Sequence, residues 1–188
     1  MKSLQRGRTV YLRHPVRGDL EEFQFLASAS LDLHKPWIYP PSAEGAFHAY
    51  VERSRSERFL GFLICLRQTD AIIGVANLSE IVRGVFQSAF LGFYGHAEYS
   101  GRGLMREGVR VVLHYAFSKA KLHRIEANVQ PDNSRSLALV RALGFQQEGF
   151  SPKYLKIGGQ WRDHERWAIL AENCRSGYDR DRPGTDRA

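Results

Sequence analysis

The stretch EYSGRGLMREGVRVVLHYAF, Glu98 to Phe117, sets two glycines around an arginine directly before a long apolar-periodic run. Met105, Val109, Val112, Ala116 and Ala120 recur at spacings of three and four, so the run reads as a helix that buries one stripe. Glycine at its mouth costs backbone entropy, which points to a ligand that needs bare, closely approached amides. The first turn of a helix supplies such amides together with partial positive charge, and so makes an anion site. A Walker loop would need Lys-Ser/Thr after its last glycine, where Leu104 and Met105 stand. A dinucleotide fingerprint would need a third glycine where Arg106 stands. Neither fits, and an ordinary glycine turn between strand and helix stays open until the neighbouring segments are read.

Working outward, three strand-like runs precede the loop: FLGFLICLR, AIIGVANLSEIV and SAFLGFYG. Short polar turns at Gln68–Asp70 and Arg83–Gln87 join them, which predicts an antiparallel meander. Beyond the helix, HRIEANVQ (His123–Gln130) returns as a strand, so a right-handed crossover and parallel pairing are expected. PDNSRSLALVRALGF is a second, shorter helix, capped within Asp132–Ser134 and ended by Gly144. QEGFSPKYLKIGGQWRDHERWAIL reads as a hairpin around Gly158-Gly159. Toward the start, TVYLR (Thr9–Arg13) alternates as a strand. GDLEEFQFLASAS then reads as a helix with Asp19 as N-cap and Glu22 closing a capping box. Three prolines forbid regular structure in LHKPWIYPPS, and AEGAFHAYVERSRSE follows as a weaker helix. The polar end, residues 173–188, is expected to be a disordered tail after one folded domain spanning 1–172.

The totals agree with one soluble globular domain: 188 residues, 43% hydrophobic and 25% charged. No apolar run has membrane-spanning length and the start lacks a signal-peptide core, which predicts a cytoplasmic protein with no membrane partner. Cys65 and Cys174 form no disulfide framework or zinc spacing. Histidines such as His34, His48, His96, His114, His123 and His164 show no ligand spacing either, so no metal is assigned. The net charge of +7 favours an anionic cofactor, an RNA-rich partner or an acidic substrate. It is diffuse, without a run of nucleic-acid type, and a solvated surface accounts for it equally well.

Taken in order, these segments resemble a GNAT-fold acetyltransferase. The Gly101-Arg102-Gly103 loop is similar to that family's Q/R-x-x-G-x-G/A acetyl-CoA motif, and NSRSLALVRALGF to its N-x-x-S…LGF segment. IIGVANLSEIVRG, GRGLM, HRIEANVQPDNSRS and YLKIGGQWRDH together resemble the ribosomal-protein-alanine N-acetyltransferases of the RimJ/RimL type, over about Thr9 to Leu170. The Q/R position falls on Glu98, which removes one donor from the motif. The resemblance implies an α+β fold, a mixed and mostly antiparallel sheet with flanking helices. It also implies acetyl transfer from acetyl-CoA to the N-terminal amine of a protein, a ribosomal protein being the acceptor. A small amine (antibiotic, polyamine or amino acid) is the alternative acceptor, and a non-catalytic acetyl-CoA-binding module the third reading. Monomer and homodimer both remain open.

Amine attack on a thioester requires an anchored anion, a donor for the developing oxyanion, and proton handling at both ends. The amides of Gly101, Arg102, Gly103, Leu104 and Met105 would cradle a pyrophosphate. Arg102 and Arg106 add charge there or simply face solvent. By resemblance, the Phe93 backbone amide holds the thioester oxygen, Asn133 touches the pantetheine arm, and Ser136 serves the leaving thiolate. Helix capping is the plainer role for Asn133, and packing for the Phe93 ring and for Tyr154, an alternative acid. For the base, Glu80 and Glu126 are candidates beside a water chain, with Glu80 preferred. Glu126 shares a strand face with Asn128 and Gln130 and so lines the acceptor side or merely a half-exposed strand. Trp37 and Tyr39, on the proline-stiffened loop, form an acceptor wall or plug a core edge.

Overall fold

The computed structural model describes residues 3–178. Its strands and helices run β1 (Gln5–Arg6), β2 (Val10–Arg13), α1 (Leu20–Ala29), α2 (Leu31–His34), α3 (Glu44–Arg53), β3 (Arg55–Ser56), β4 (Phe59–Leu66) and β5 (Ile72–Val82). They continue through β6 (Ser88–Gly95), α4 (Leu104–Ser118), β7 (Arg124–Val129), α5 (Ser134–Ala142), β8 (Gln146–Ile157), β9 (Gln160–Leu170) and α6 (Ala171–Tyr178). One mixed sheet orders its strands β1-β2-β4-β5-β6-β7-β9-β8, with β3 added to β4. All pairings are antiparallel except β6 with β7, which are joined through α4. The fold is therefore the mixed, mostly antiparallel sheet with flanking helices that the resemblance implies.

Alternation divides the sheet into two buried faces. On one, Phe62, Ile64, Ile73, Leu78, Leu91 and Ile125 meet Val109, Val112, Leu113 and Ala116 of α4 and Leu137 and Val140 of α5. On the other, Leu63, Cys65, Ile72, Val75 and Tyr94 meet Phe23 and Leu26 of α1 and Phe47 and Tyr50 of α3. Each fully buried side chain of this size stabilises by roughly 1.5–3 kcal/mol, so two-sided burial fixes the register of the central strands. Cys65 sits inside the second cluster, where burial pushes its thiol up to about 11. No helix among the described residues is long and apolar enough to cross a membrane.

Several expectations change. The capping box at Asp19 and Glu22 does not form. Asp19 instead accepts from both terminal nitrogens of Arg13, at 2.7 and 2.8 Å, in a pair buried on both sides. It also accepts from the Val16 amide, while Glu22 reaches the Ile72 amide on β5 at 2.7 Å. Buried neighbours outbid the local cap. The expected second helix ends at Arg53, because Arg55–Ser56 pairs with β4 as β3. The proline segment begins only after the single turn α2, with Lys35–Pro36 in the cis form. The stretch expected as a disordered tail opens with α6, which follows β9 directly; residues 179–188 lie outside the described residues. The α5 caps are as expected: Asn133 starts it, and the Gly144 and Phe145 amides close it on Arg141 and Val140.

Candidate active site

The parallel pair β6–β7 is short. Ser88, Ala89 and Phe90 face Arg124, Ile125 and Glu126, and there the pairing stops. β6 runs on to Gly95 along β5, and β7 runs on to Val129 along β9. The two strands thus part beyond Phe90 and Glu126, leaving a slot between two otherwise paired sheets. The direction of the exposed backbone groups follows from alternation. The His96 amide donates to Ile73 on the β5 side, whereas the Gln87 carbonyl accepts from His123 and Arg124 on the β7 side. Every second residue between them turns the same way, so Leu91, Phe93 and Gly95 present their amides to the slot. The Gly95 carbonyl is already engaged, 2.8 Å from His34 Nε2.

The glycine loop lies where β6 leaves the slot. Gly101 and Gly103 have φ of +76° and +74°, the left-handed region that glycine adopts without strain. Gly103 caps α4 with no side chain, and the first helical bond runs from the Glu107 amide to its carbonyl. The amides of Leu104, Met105 and Arg106 therefore have no intrahelical acceptor. A Cβ added at Gly101 or Gly103 would meet nothing within 4 Å, so the loop is open to solvent at both glycines. Two contacts fix the loop from behind. The Glu107 carboxylate accepts from the Thr9 amide at 2.6 Å, and Met105 packs so closely on Gly95 that a Cβ there would lie 2.8 Å from its Cγ. Arg102 is exposed, with its guanidinium 5.9 Å from the Tyr99 ring. Such a cradle, backed by a helix N-terminus with Arg102 exposed in the loop, suits a diphosphate.

Across the slot, α5 begins just after β7. Asn133 Oδ1 accepts from the Ser136 backbone amide at 3.1 Å, so Asn133 does act as the cap. Its amide nitrogen and the half-buried Ser136 hydroxyl are not part of that cap. Phe93, residues 101–105, Asn133 and Ser136 thus gather at the C-terminal ends of β6 and β7, a common location for ligands in open sheets.

The acceptor candidates are spread more widely. Glu126 sits at the last paired rung, its carboxylate 2.8 Å from Arg124 Nε. Glu80 lies in a bulge of β5 with φ +47°, 64% exposed, paired at 2.9 Å with Arg58. Trp37 is half-buried and Tyr39 exposed, and the Tyr39 ring packs against Gly158 at the β8–β9 turn. The proline loop and the hairpin therefore touch over the α1 and α3 face of the sheet. On β6, a Cβ on Gly92 would meet nothing within 4 Å, so the strand is uncovered at that residue. Glu98, at the Q/R position of the glycine-loop motif, is exposed in a short turn. Of the buried histidines, His34 and His96 carry no role in the sequence, whereas His164 closes QWRDH (Gln160–His164), a stretch that either faces the acceptor from the hairpin or steadies the turn.

The acetyltransferase (GNAT) domain family matches residues 9–146 of this chain. The probable N-acetyltransferase YjcK of Bacillus subtilis is 36% identical over 173 residues, covering 88% of this chain and 96% of that protein. The uS5-alanine N-acetyltransferase of Escherichia coli is 42% identical over 106 residues, a match spanning 56% of this chain and 55% of that one. Among solved structures, Mycobacterium smegmatis RimJ in complex with CoA-disulfide superposes with a TM-score of 0.80 at 28% identity, over 87% of this chain and 82% of that one. A spermidine N-acetyltransferase from Vibrio cholerae, in complex with CoA and spermine, does so at 0.76 and 25% identity, over 89% and 99%.

Proposed function

The chain belongs to the GNAT acetyltransferase family, and from that premise we propose that it moves acetyl from acetyl-CoA to the N-terminal amine of a protein, a ribosomal protein being the favoured acceptor. The observation that carries the reading is the slot between β6 and β7, edged by the Phe93 amide and ending at the glycine cradle. An extended pantetheine fits there as a missing strand, with its diphosphate on the amides of residues 101–105. The co-substrate supplies the activated acyl carbon.

The chain's own groups do the rest. The Phe93 amide, fixed by the β5–β6 ladder, points a donor at the position where negative charge develops on the thioester oxygen. Such preorganised donors contribute about 10²–10³ in rate. Asn133 holds the arm through its free amide nitrogen, and the Ser136 hydroxyl gives a proton to the departing thiolate. The transfer is direct: Cys65 is buried with its thiol pushed up to about 11, a poor nucleophile at neutral pH.

The acceptor side favours a peptide over a polyamine. A polyamine needs free carboxylates, yet Glu126 and Glu148 are both engaged by Arg124, and Glu80 by Arg58. The spermidine reading draws on the contact of Tyr39 with Gly158, which narrows the acceptor side toward a pocket. Thiol release from acetyl-CoA with alanine- and serine-initiated peptides, lysine peptides and spermidine separates the two. Turnover of the N-terminal peptides with a mass gain of one acetyl is the expected result; turnover of spermidine alone would replace the acceptor.

A further inference from the structure

The β8–β9 hairpin carries a buried histidine that none of the steps above uses. His164 keeps only 3% of its surface exposed. In the β7–β9 ladder Asn128 faces Arg166, while Trp167 and Ile169 turn to the α4 and α5 core. Alternation therefore sets Arg162, His164 and Arg166 on the opposite face with Glu126 and Asn128, the face over which Tyr39 meets the hairpin. His164 Nδ1 lies 3.0 Å from the Arg162 carbonyl. A carbonyl only accepts, so the proton resides on Nδ1 and Nε2 holds a lone pair. That Nε2 makes no hydrogen bond to another described residue. The Tyr154 ring packs edge-on at 6.1 Å.

Two polar atoms on this face are enclosed without a partner, Asn128 Oδ1 and Arg162 Nε. Buried polar atoms of this kind are rare and each one left unpaired is costly. Asn128 belongs to β7, which borders the slot, one same-face step past its last paired rung, and Arg162 and His164 belong to the next strand, β9, on the same face. Two acceptors on one face of the β7–β9 pair, Asn128 Oδ1 and His164 Nε2, suit a ligand that brings more than one N–H.

We propose that His164 Nε2 is the general base that takes the proton from the acceptor amine, directly or through one water, while Asn128 Oδ1 receives a second N–H of the same amine. This rests on the transferase reading. In the step, the amine nitrogen bonds to the acyl carbon and the C–S bond breaks. One amine proton passes to His164 Nε2, and the sulfur takes a proton from Ser136, which regains one from solvent. His164 then returns its proton to solvent. Burial holds the imidazole below its ordinary 6.5, against smaller opposing effects from the Arg162 carbonyl and Asp163, so the neutral base is the form present at pH 7. Tyr154 from β8, Glu126 from β7, and Arg162, Asp163 and Arg166 from β9 are the ionisable groups around it.

The test is a pH series of kcat/KM for the full chain and His164→Gln, with acetyl-CoA and either an alanine-initiated peptide or spermidine. At pH 7 the variant should lose about 10²-fold. The loss should shrink above about pH 8, where an N-terminal amine is neutral without help. Acetyl-CoA affinity and Tm should match the parent. A loss under about threefold, or one independent of pH, overturns the proposal while parental turnover keeps the transferase reading. A parent silent toward both amines overturns both. Nitrogen NMR of the unmodified chain adds an arm free of variant misfolding: a neutral Nδ1–H tautomer is expected, with Nε2 shifting when peptide is added. An Nε2–H tautomer refutes the assignment.

Discussion

Replacing Gly103 by alanine separates the fold from the cradle. The residue has φ +74°, and an added Cβ would meet nothing within 4 Å, so no clash arises in the free protein. What remains is the left-handed backbone, which costs a non-glycine residue about 1–2 kcal/mol. For a chain of 188 residues that lowers Tm by roughly 2–8 °C. Binding should suffer more. A methyl group added on the open side of the loop crowds a diphosphate held on the Leu104 and Met105 amides, and a lost hydrogen bond to a charged group is worth about 1.5–3 kcal/mol. Coenzyme A affinity should then fall about 10- to 150-fold. Gly84→Ala is the control, because Gly84 has φ +69°, equally open surroundings, and a place in the β5–β6 turn away from the slot. It should show the same thermal shift with unchanged affinity. Calorimetric titration and melting curves of both variants decide. If Gly103→Ala binds coenzyme A as Gly84→Ala does, the amides at the start of α4 do not hold the diphosphate.

Ser136→Ala should lower kcat about 10²-fold with Tm nearly unchanged, since the α5 cap uses the Ser136 backbone amide and not its hydroxyl; melting and steady-state rates check both halves. Arg13→Met strands the buried Asp19 carboxylate and should cost about 3–5 kcal/mol in urea unfolding, partly restored by Asp19→Leu in the same chain. His96 gives a pH signature. Burial, with the neighbouring His34 adding to it, holds His96 at about 4 against an ordinary 6.5. The unfolded chain therefore binds more protons between these values, and the stability from the neutral ring is full above about pH 6.5 and lost as pH falls toward 4, by about 3 kcal/mol. Urea unfolding near pH 7 and pH 4.5 should show that slope in the parent and a smaller one in His96→Phe.

Local pattern carried most of the architecture. The meander, the crossover through α4 and the glycine mouth of that helix were legible because period, turn residues and caps are short-range signals. The Asp19–Glu22 box failed because its carboxylates find other partners, Asp19 the Arg13 guanidinium six residues back and Glu22 the Ile72 amide of β5, fifty residues on. The short β6–β7 ladder follows from tertiary geometry, and its three rungs cannot be counted from HRIEANVQ alone. His164 was legible only as the end of QWRDH, a stretch that faces the acceptor or steadies the turn, and only the β7–β9 register puts it on one face with Asn128.

Where β6 and β7 touch, the sheet is sewn by three residue pairs, and past them it is an open seam with α4 and α5 packed on one face. A thread laid along that seam would tie two rafts of strands together. Such a thread at a hundred times its Kd raises the unfolding free energy by about 2.7 kcal/mol. Amide exchange at Leu91, Phe93 and Asn128 should then slow sharply when coenzyme A is added, while the strands far from the seam change little. A molecule whose sheet is finished by its own reagent carries the record of that reagent's supply in its lifetime.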